Sequence, residues 1–168
     1  MKILVGYASG YGATQAYAED ISATLRQAGH EVDTLDARKA KQLADYDHIL
    51  IGGSIRAGNW LGHATKLARR VIASGKPYDL FVVCLSALSD EGKAMLDEKF
   101  FPKLREKIPG VQLDDVGIFP GMKNFEQYRF PVKGIMQSMA RKNDSPTEGE
   151  QDFKDFDIAR GWVGSLKL

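Results

Sequence analysis

Apolar runs alternate with amphipathic stretches along most of the chain, a pattern that predicts strands followed by helices. The predicted strands are Ile3–Ala8, Glu31–Leu35, His48–Gly52, Asp79–Leu85 and Asp115–Phe119. Strands that alternate with helices form a parallel sheet with helices on both faces. We therefore predict an α/β fold with a five-stranded parallel sheet.

The segments between the predicted strands have apolar residues at helical spacing. The first helix should end at Gly29, and the third should continue past Pro102. The last helix is expected to begin at a capping box formed by Thr147 and Glu150. Its apolar face would contain Phe153, Phe156, Ala159, Val163 and Leu166.

The segment after the first strand combines small and hydroxyl residues and leads directly into a helix. It reads Ser9-Gly10-Tyr11-Gly12-Ala13-Thr14. Backbone N–H groups and the helix dipole at such a helix start favour an anion. Glycines let a ligand approach the main chain, and the hydroxyl groups add donors. We interpret the segment as a phosphate-binding loop.

Residues missing from this loop narrow the choice of ligand. A Walker-type nucleotide loop needs a lysine, and no Lys or Arg lies between Lys2 and Arg26. A dinucleotide fingerprint needs a third small residue where this chain has Gln15. Asp36, near the end of the second strand, could still act as the acid that binds ribose. A dinucleotide therefore remains an alternative at this point.

Two further loops should lie beside the phosphate loop, because ligands of open parallel sheets bind beyond the carboxyl ends of the strands. One follows the third strand, extends from Ser54 to Trp60 and is rich in small residues; the other comprises Leu85–Ser89. Loops of small residues on both sides of a phosphate loop suit a flat ring. A planar, phosphorylated ligand is predicted.

Composition restricts the function classes. The 168 residues are 43% hydrophobic and carry a net charge of +1, which favours one domain (1–168) and gives no signature of nucleic-acid binding. The single cysteine, Cys84, excludes an internal disulfide and is expected to be buried in a strand. No Cys/His cluster has metal-ligand spacing. Without a signal peptide or an apolar stretch of about 18 residues, we expect a cytoplasmic protein.

The loop Ser9–Thr14 matches the flavodoxin phosphate loop, [ST]-x-x-G-x-T, and the order of the elements resembles that family over nearly the whole chain. The resemblance implies a flavodoxin-like sheet with strand order 2-1-3-4-5 that binds FMN without a covalent link. It implies cofactor contacts from three loops. The residues concerned are Ser9, Gly10, Tyr11, Gly12, Ala13, Thr14, Ser54, Ile55, Arg56, Ala57, Gly58, Trp60, Leu85, Ser86, Ala87 and Leu88.

Within the family, the run Ile51-Gly-Gly-Ser-Ile-Arg-Ala-Gly58 is most similar to the menaquinone-dependent protoporphyrinogen dehydrogenases, as is the loop and basic helix of Gly121–Lys142. This similarity implies an FMN-dependent oxidoreductase that acts on a protoporphyrinogen or is linked to a quinone. The alternative is an electron carrier without a substrate of its own. A receiver domain is excluded, because Tyr7-Ala8-Ser9 and Gly52-Gly53-Ser54 stand where its acids would be.

Several residues near the predicted site allow two interpretations each, and no catalytic residue is assigned. Thr14 either caps a helix or contacts phosphate. Trp60 either fills a gap beside the next helix or stacks on the flavin. Arg56 either pairs with a surface acid or favours the anionic reduced flavin by its charge. His63 lies close enough to the predicted site to be a candidate proton donor.

The segment 123–142 is basic, because its cations outnumber its one acid, Glu126. The cations are Lys123, Arg129, Lys133, Arg141 and Lys142, and the apolar residues among them are Phe125, Tyr128, Phe130, Ile135, Met136 and Met139. The segment is either a solvated surface or a docking surface for a lipid, a quinone or a redox partner protein. In the second case we expect a peripheral contact with the inner face of the membrane.

Overall fold

A computed structural model describes residues 1–168. Its central sheet contains five parallel strands in the order β2-β1-β3-β5-β6. They are β1 (Lys2–Ala8), β2 (Glu31–Asp36), β3 (His48–Arg56), β5 (Tyr78–Cys84) and β6 (Gly117–Pro120). A short strand, β4 (Asn59–Trp60), pairs antiparallel with the end of β3. The predicted order 2-1-3-4-5 of the parallel strands is confirmed.

Helices cover both faces of the sheet. On one face lie α1 (Ala13–Gln27) and α6 (Phe156–Ser165), and on the other lies α2 (Gly62–Ser74). The second face is completed by α3 (Asp90–Met95) and α4 (Phe101–Lys107), which a π-helical turn joins. Pro102 is tolerated because it lies in the first turn of α4.

The apolar strands are explained by burial on both faces. Successive side chains of a strand point to opposite faces. In β1, Ile3 and Val5 pack toward α1 and α6, whereas Leu4 packs toward α2, and all three are fully buried. The sheet therefore divides the core into two layers and leaves its carboxyl edge open for a site.

The predicted start of the last helix is wrong. Glu150–Asp152 forms a strand, β8, which pairs antiparallel with β7 (Met122–Asn124). Helix α6 begins later, where the Asp155 carboxylate accepts hydrogen bonds from the N–H groups of Asp157 (3.0 Å) and Ile158 (3.4 Å). Pairing with β7 thus prevails over the capping-box pattern, and Asp155 provides the cap instead.

Residues 121–155 form an inserted segment between β6 and α6, which contains β7, α5 (Val132–Lys142) and β8. Both of its ends are held by the buried Tyr17 of α1. The Tyr17 hydroxyl donates to the Pro120 carbonyl (2.7 Å) and accepts from the Asp155 N–H (2.8 Å). The inserted segment therefore leaves and rejoins the core at one point. None of the helices is both long and apolar enough to span a membrane.

Candidate functional site

The loop between β1 and α1 presents free backbone donors. Gly12 adopts φ 96°, a left-handed conformation that suits glycine, and its N–H donates to Ser9 Oγ (2.9 Å). Helix α1 begins at Ala13 without a side-chain cap, and the N–H groups of Ala13, Thr14 and Gln15 donate to no protein acceptor. A helix N-terminus with unsatisfied N–H groups is suited to an anion.

A partly buried pair of hydroxyl groups ties the first turn of α1 to the end of β3. Thr14 is fully buried, and its Oγ1 lies 2.6 Å from Ser54 Oγ. Thr14 is the second residue of α1 and not its N-cap, which is Gly12, and its hydroxyl is engaged with Ser54. The contact fixes the start of α1 relative to the end of β3.

A cleft of about 310 Å³ opens next to this contact. One wall is formed by Ser54–Gly58 and another by Val83–Ser86, at the carboxyl ends of β3 and β5. Most of the lining is hydrophobic. The volume lies at the lower end of the range for sites of small molecules and cofactors, roughly 300–1,000 Å³. The cleft therefore has the size and the lining to take a largely apolar group of a small ligand.

The inserted segment forms the third wall of the cleft. Its contribution comes from Gly121, Met122, Tyr128, Val132, Met136 and Met139. The ring of Tyr128 contacts that of Tyr11 edge-on, with centroids 5.1 Å apart. The sequence predicts this region as either a solvated surface or a docking surface, and neither interpretation includes a wall of the cleft. The sequence does contain a signal for this wall: Val132, Met136 and Met139 have i, i+4, i+7 spacing, which places them on the same side of a helix.

Arg56 extends toward the phosphate loop. Its Cζ lies over the Tyr11 ring, 4.6 Å from the centroid. A Cβ at Gly10 would collide with the Nη2 atom of the Arg56 guanidinium, so the side chain of Arg56 occupies the space that the glycine leaves open. Arg56 has no acidic partner, so it does not form the surface ion pair that the sequence analysis considered.

Seven of the sixteen residues proposed as cofactor contacts do not line the cleft. They are Ser9, Gly10, Gly12 and Thr14 of the phosphate loop, and Trp60, Ala87 and Leu88 of the other two loops. Trp60 is only 4% exposed and packs in the core against Gly53 and Ala64, which is the gap-filling alternative. The 3-10 turn Leu85–Leu88 directs Ala87 into the core and leaves Leu88 47% exposed. The indole of Trp60 thus packs against the sheet, where Gly53 leaves space for it, and it presents no face to the cleft.

The titratable side chains of Asp36, His63 and Cys84 are paired, exposed to solvent and buried, respectively. Asp36 accepts two hydrogen bonds from the Arg38 guanidinium (both 2.8 Å), which lowers the pKa of Asp36 to about 2. His63 is exposed on α2 and does not line the cleft, so it is not placed to be a proton donor there. Cys84 lines one wall, and burial raises the pKa of its thiol to about 11.

The comparisons with known proteins agree with this architecture. A family model described as flavodoxin domain matches residues 4–150. An archaeal flavodoxin has 20% identity and a TM-score of 0.51, with 96% of this chain and 99% of that chain covered. Flavodoxin 1 from Bacillus cereus has 19% identity and a TM-score of 0.50, with 71% of this chain and 84% of that chain covered.

A larger protein contains the same fold as a part. Rubredoxin oxygen:oxidoreductase from Desulfovibrio gigas has 13% identity and a TM-score of 0.51; the match covers 99% of this chain but only 37% of that chain. At these identities the solved structures show the fold alone. No curated protein sequence matches the chain.

Proposed function

The chain belongs to the flavodoxin domain family, and on that basis we propose that it is an FMN-dependent oxidoreductase built as one domain over residues 1–168. The observation that carries this proposal is the loop of free N–H groups at the start of α1, directly beside an apolar cleft between two loops. Bound FMN supplies reversible oxidation and reduction by one or two electrons.

The phosphate would be held by the loop Ser9–Thr14. The free N–H groups of Ala13 and Thr14 would donate to its oxygens, and the helix dipole would favour its charge. The Ser9 and Tyr11 hydroxyls are further donors at the same loop. The Thr14 hydroxyl, already bonded to Ser54, would either reorient toward the phosphate or hold the two loops together.

The flavin ring would lie between the loops after β3 and β5. Ile55, Ala57 and Gly58 would cover one side, and Leu85 and Ser86 the other. Backbone amides of these loops would meet the polar edge of the ring, while the apolar lining excludes water. The protonated Cys84 thiol behaves here as a small apolar group.

The third wall supports the choice of substrate class. Helix α5 brings Val132, Met136 and Met139 to the cleft, and flexible methionine side chains adapt to bulky apolar molecules. We infer that a flat organic molecule, a porphyrinogen as electron donor or a quinone as acceptor, is bound between α5 and the flavin. A quinone gains two electrons and two protons in such a step, and a porphyrinogen loses electrons and protons in pairs.

The outer side of the same segment supports a peripheral contact with an anionic lipid surface. Phe130 is 96% exposed and Ile135 56% exposed, within the basic segment 123–142. Apolar side chains flanked by cations bind the interface of anionic membranes. A quinone dissolved in the membrane would then reach the cleft without crossing water.

Reoxidation kinetics test the substrate proposal. FMN-loaded protein is reduced without oxygen and mixed with a soluble naphthoquinone, and the return of flavin absorbance is followed. We expect the rate to saturate with quinone and to fall in Met139→Asp, which introduces a charge at the third wall. Ile158→Asp is the control, because Ile158 is similarly exposed (48%, against 54% for Met139) but lies on α6.

Other outcomes distinguish the alternatives. A rate that rises linearly with quinone and is equal in both variants would contradict a quinone site and favour a carrier without its own substrate. Porphyrinogen oxidation is followed separately through porphyrin fluorescence. For the membrane contact, we expect Phe130→Ser to reduce sedimentation with anionic vesicles, whereas Met95→Ser on α3 should leave it unchanged. Equal sedimentation of both variants would contradict that contact.

A further inference from the structure

Arg56 lines the cleft, and its side chain is directed toward the phosphate loop. Its guanidinium lies beside Gly10 and over Tyr11, both in the phosphate loop. Glycine at position 10 is what leaves room for this approach, because any Cβ would collide with the guanidinium. The cation that is missing from the phosphate loop in sequence is therefore supplied in space by the end of β3.

The charge of Arg56 is available to a ligand. The side chain forms no ion pair, and its residue is exposed to solvent. Stacking on an aromatic ring uses the face of the guanidinium and leaves its N–H groups at the edge free to donate. Such edges form paired hydrogen bonds with phosphate oxygens.

Several contacts keep Arg56 in this position. Its backbone pairs with Asn59 in the β3–β4 hairpin, whose turn contains Ala57 (φ 48°) and Gly58 (φ 69°). The Tyr11 ring beneath the guanidinium is held by the edge-on contact with Tyr128 of the inserted segment. A cation that is held in advance loses less conformational entropy when it binds an anion.

We infer that Arg56 binds the phosphate of FMN and is the residue by which this site distinguishes FMN from riboflavin. The inference rests on the proposed binding of FMN. The other groups of the phosphate loop are neutral amides and hydroxyls, since no Lys or Arg lies between Lys2 and Arg26. Arg56 adds the full positive charge that the phosphate dianion lacks there.

The affinities of Arg56→Gln for FMN and for riboflavin test this inference. Both are measured by quenching of flavin fluorescence. Loss of charge-assisted hydrogen bonds should weaken FMN binding by about 10- to 100-fold. The affinity for riboflavin should change by less than about twofold, because riboflavin has no phosphate group for Arg56 to bind. Arg56→Lys should keep part of the preference, and added salt should weaken FMN binding more in the wild type than in Arg56→Gln.

Arg105→Gln is the matched control, because Arg105 is exposed on α4 and forms no ion pair. It should leave both affinities unchanged. Equal weakening of FMN and riboflavin by Arg56→Gln would overturn the inference, and so would an unchanged ratio of the two affinities. A wild-type chain that binds riboflavin and FMN equally would also overturn it while leaving flavin binding intact. A wild-type chain that binds neither flavin would instead overturn the proposed function itself.

Discussion

The hydroxyl of Tyr17 joins both ends of the inserted segment to α1, so the Tyr17→Phe variant tests how the third wall of the cleft is held. In this variant the Pro120 carbonyl loses a donor at 2.7 Å and the Asp155 N–H loses an acceptor at 2.8 Å. The Tyr17 side chain is 0% exposed, so water cannot take its place without local opening.

The expected magnitude follows from these two contacts. A buried polar group left without its partner costs about 1–3 kcal/mol, and two groups are affected. Because some relaxation toward solvent is expected at Asp155, we expect the free energy of unfolding to fall by about 2–4 kcal/mol. For a chain of 168 residues this corresponds to a melting temperature lower by roughly 5–15 °C.

Urea unfolding followed by circular dichroism measures the loss, and hydrogen exchange locates it. We expect faster exchange throughout residues 121–155 and little change in β1, β3 and β5. Tyr78→Phe is the control, because the Tyr78 hydroxyl accepts a hydrogen bond from the N–H of Gln112, which is exposed. Water can replace that hydroxyl, so its loss should cost less than about 0.5 kcal/mol.

Two results would refute the reasoning. Equal losses of stability in Tyr17→Phe and Tyr78→Phe would show that the two buried hydrogen bonds of Tyr17 stabilise the fold no more than the exposed hydrogen bond of Tyr78. Unchanged exchange in residues 121–155 would show that the inserted segment is held by other contacts.

Three further predictions concern the backbone of the phosphate loop, a charge pair and the buried thiol. Gly12→Ala should lower the free energy of unfolding by about 1–2 kcal/mol, because Gly12 adopts a left-handed conformation. Gly134→Ala should raise it by about 0.5–1 kcal/mol, because Gly134 lies inside α5 with free space around it. Urea unfolding measures both variants, and equal effects would contradict the conformational cause. Arg38→Gln should be less stable than the wild type at pH 7. The pKa of Asp36 is about 2 when folded and lies below its unfolded value, so the stabilisation by the charge pair is lost as the pH falls through the folded pKa. The difference in stability should therefore shrink steeply between about pH 4 and pH 2. A difference as large at pH 2 as at pH 7 would argue against the charge pair. Burial raises the pKa of Cys84 to about 11, so the folded chain should react with iodoacetamide at pH 8 far more slowly than the urea-unfolded chain, and similar rates would contradict this assignment.

The sequence predicts the sheet well because the determinants of the sheet are local. Apolar runs with turn residues between them, such as Gly29 and Gly75, mark the strands and helices, and both glycines adopt positive φ at helix ends. The phosphate loop is equally local, since its glycine, its hydroxyls and the helix start are contiguous in sequence. The order of the strands in the sheet is predicted from the resemblance to the flavodoxin family.

The parts that sequence reasoning missed depend on contacts between distant residues. Burial of Trp60 follows from the absence of a side chain at Gly53, and the third wall follows from the way in which Tyr17 closes the inserted segment. Glu150 has the position of a capping residue, but strand pairing with Asn124 uses its backbone instead. The direction of the Arg56 side chain depends on the space at Gly10, and the sequence pattern does not show that these two residues are neighbours.

Titration of the purified chain with FMN tests the central claim most directly. Flavin fluorescence should be quenched to saturation at one FMN per chain, and the complex should keep the visible absorption bands of a protein-bound flavin after gel filtration. Thr14→Val, which removes the hydroxyl bonded to Ser54 at nearly constant volume, should weaken that binding. Fluorescence that remains unchanged up to millimolar FMN, together with a colourless protein after gel filtration, would contradict the account.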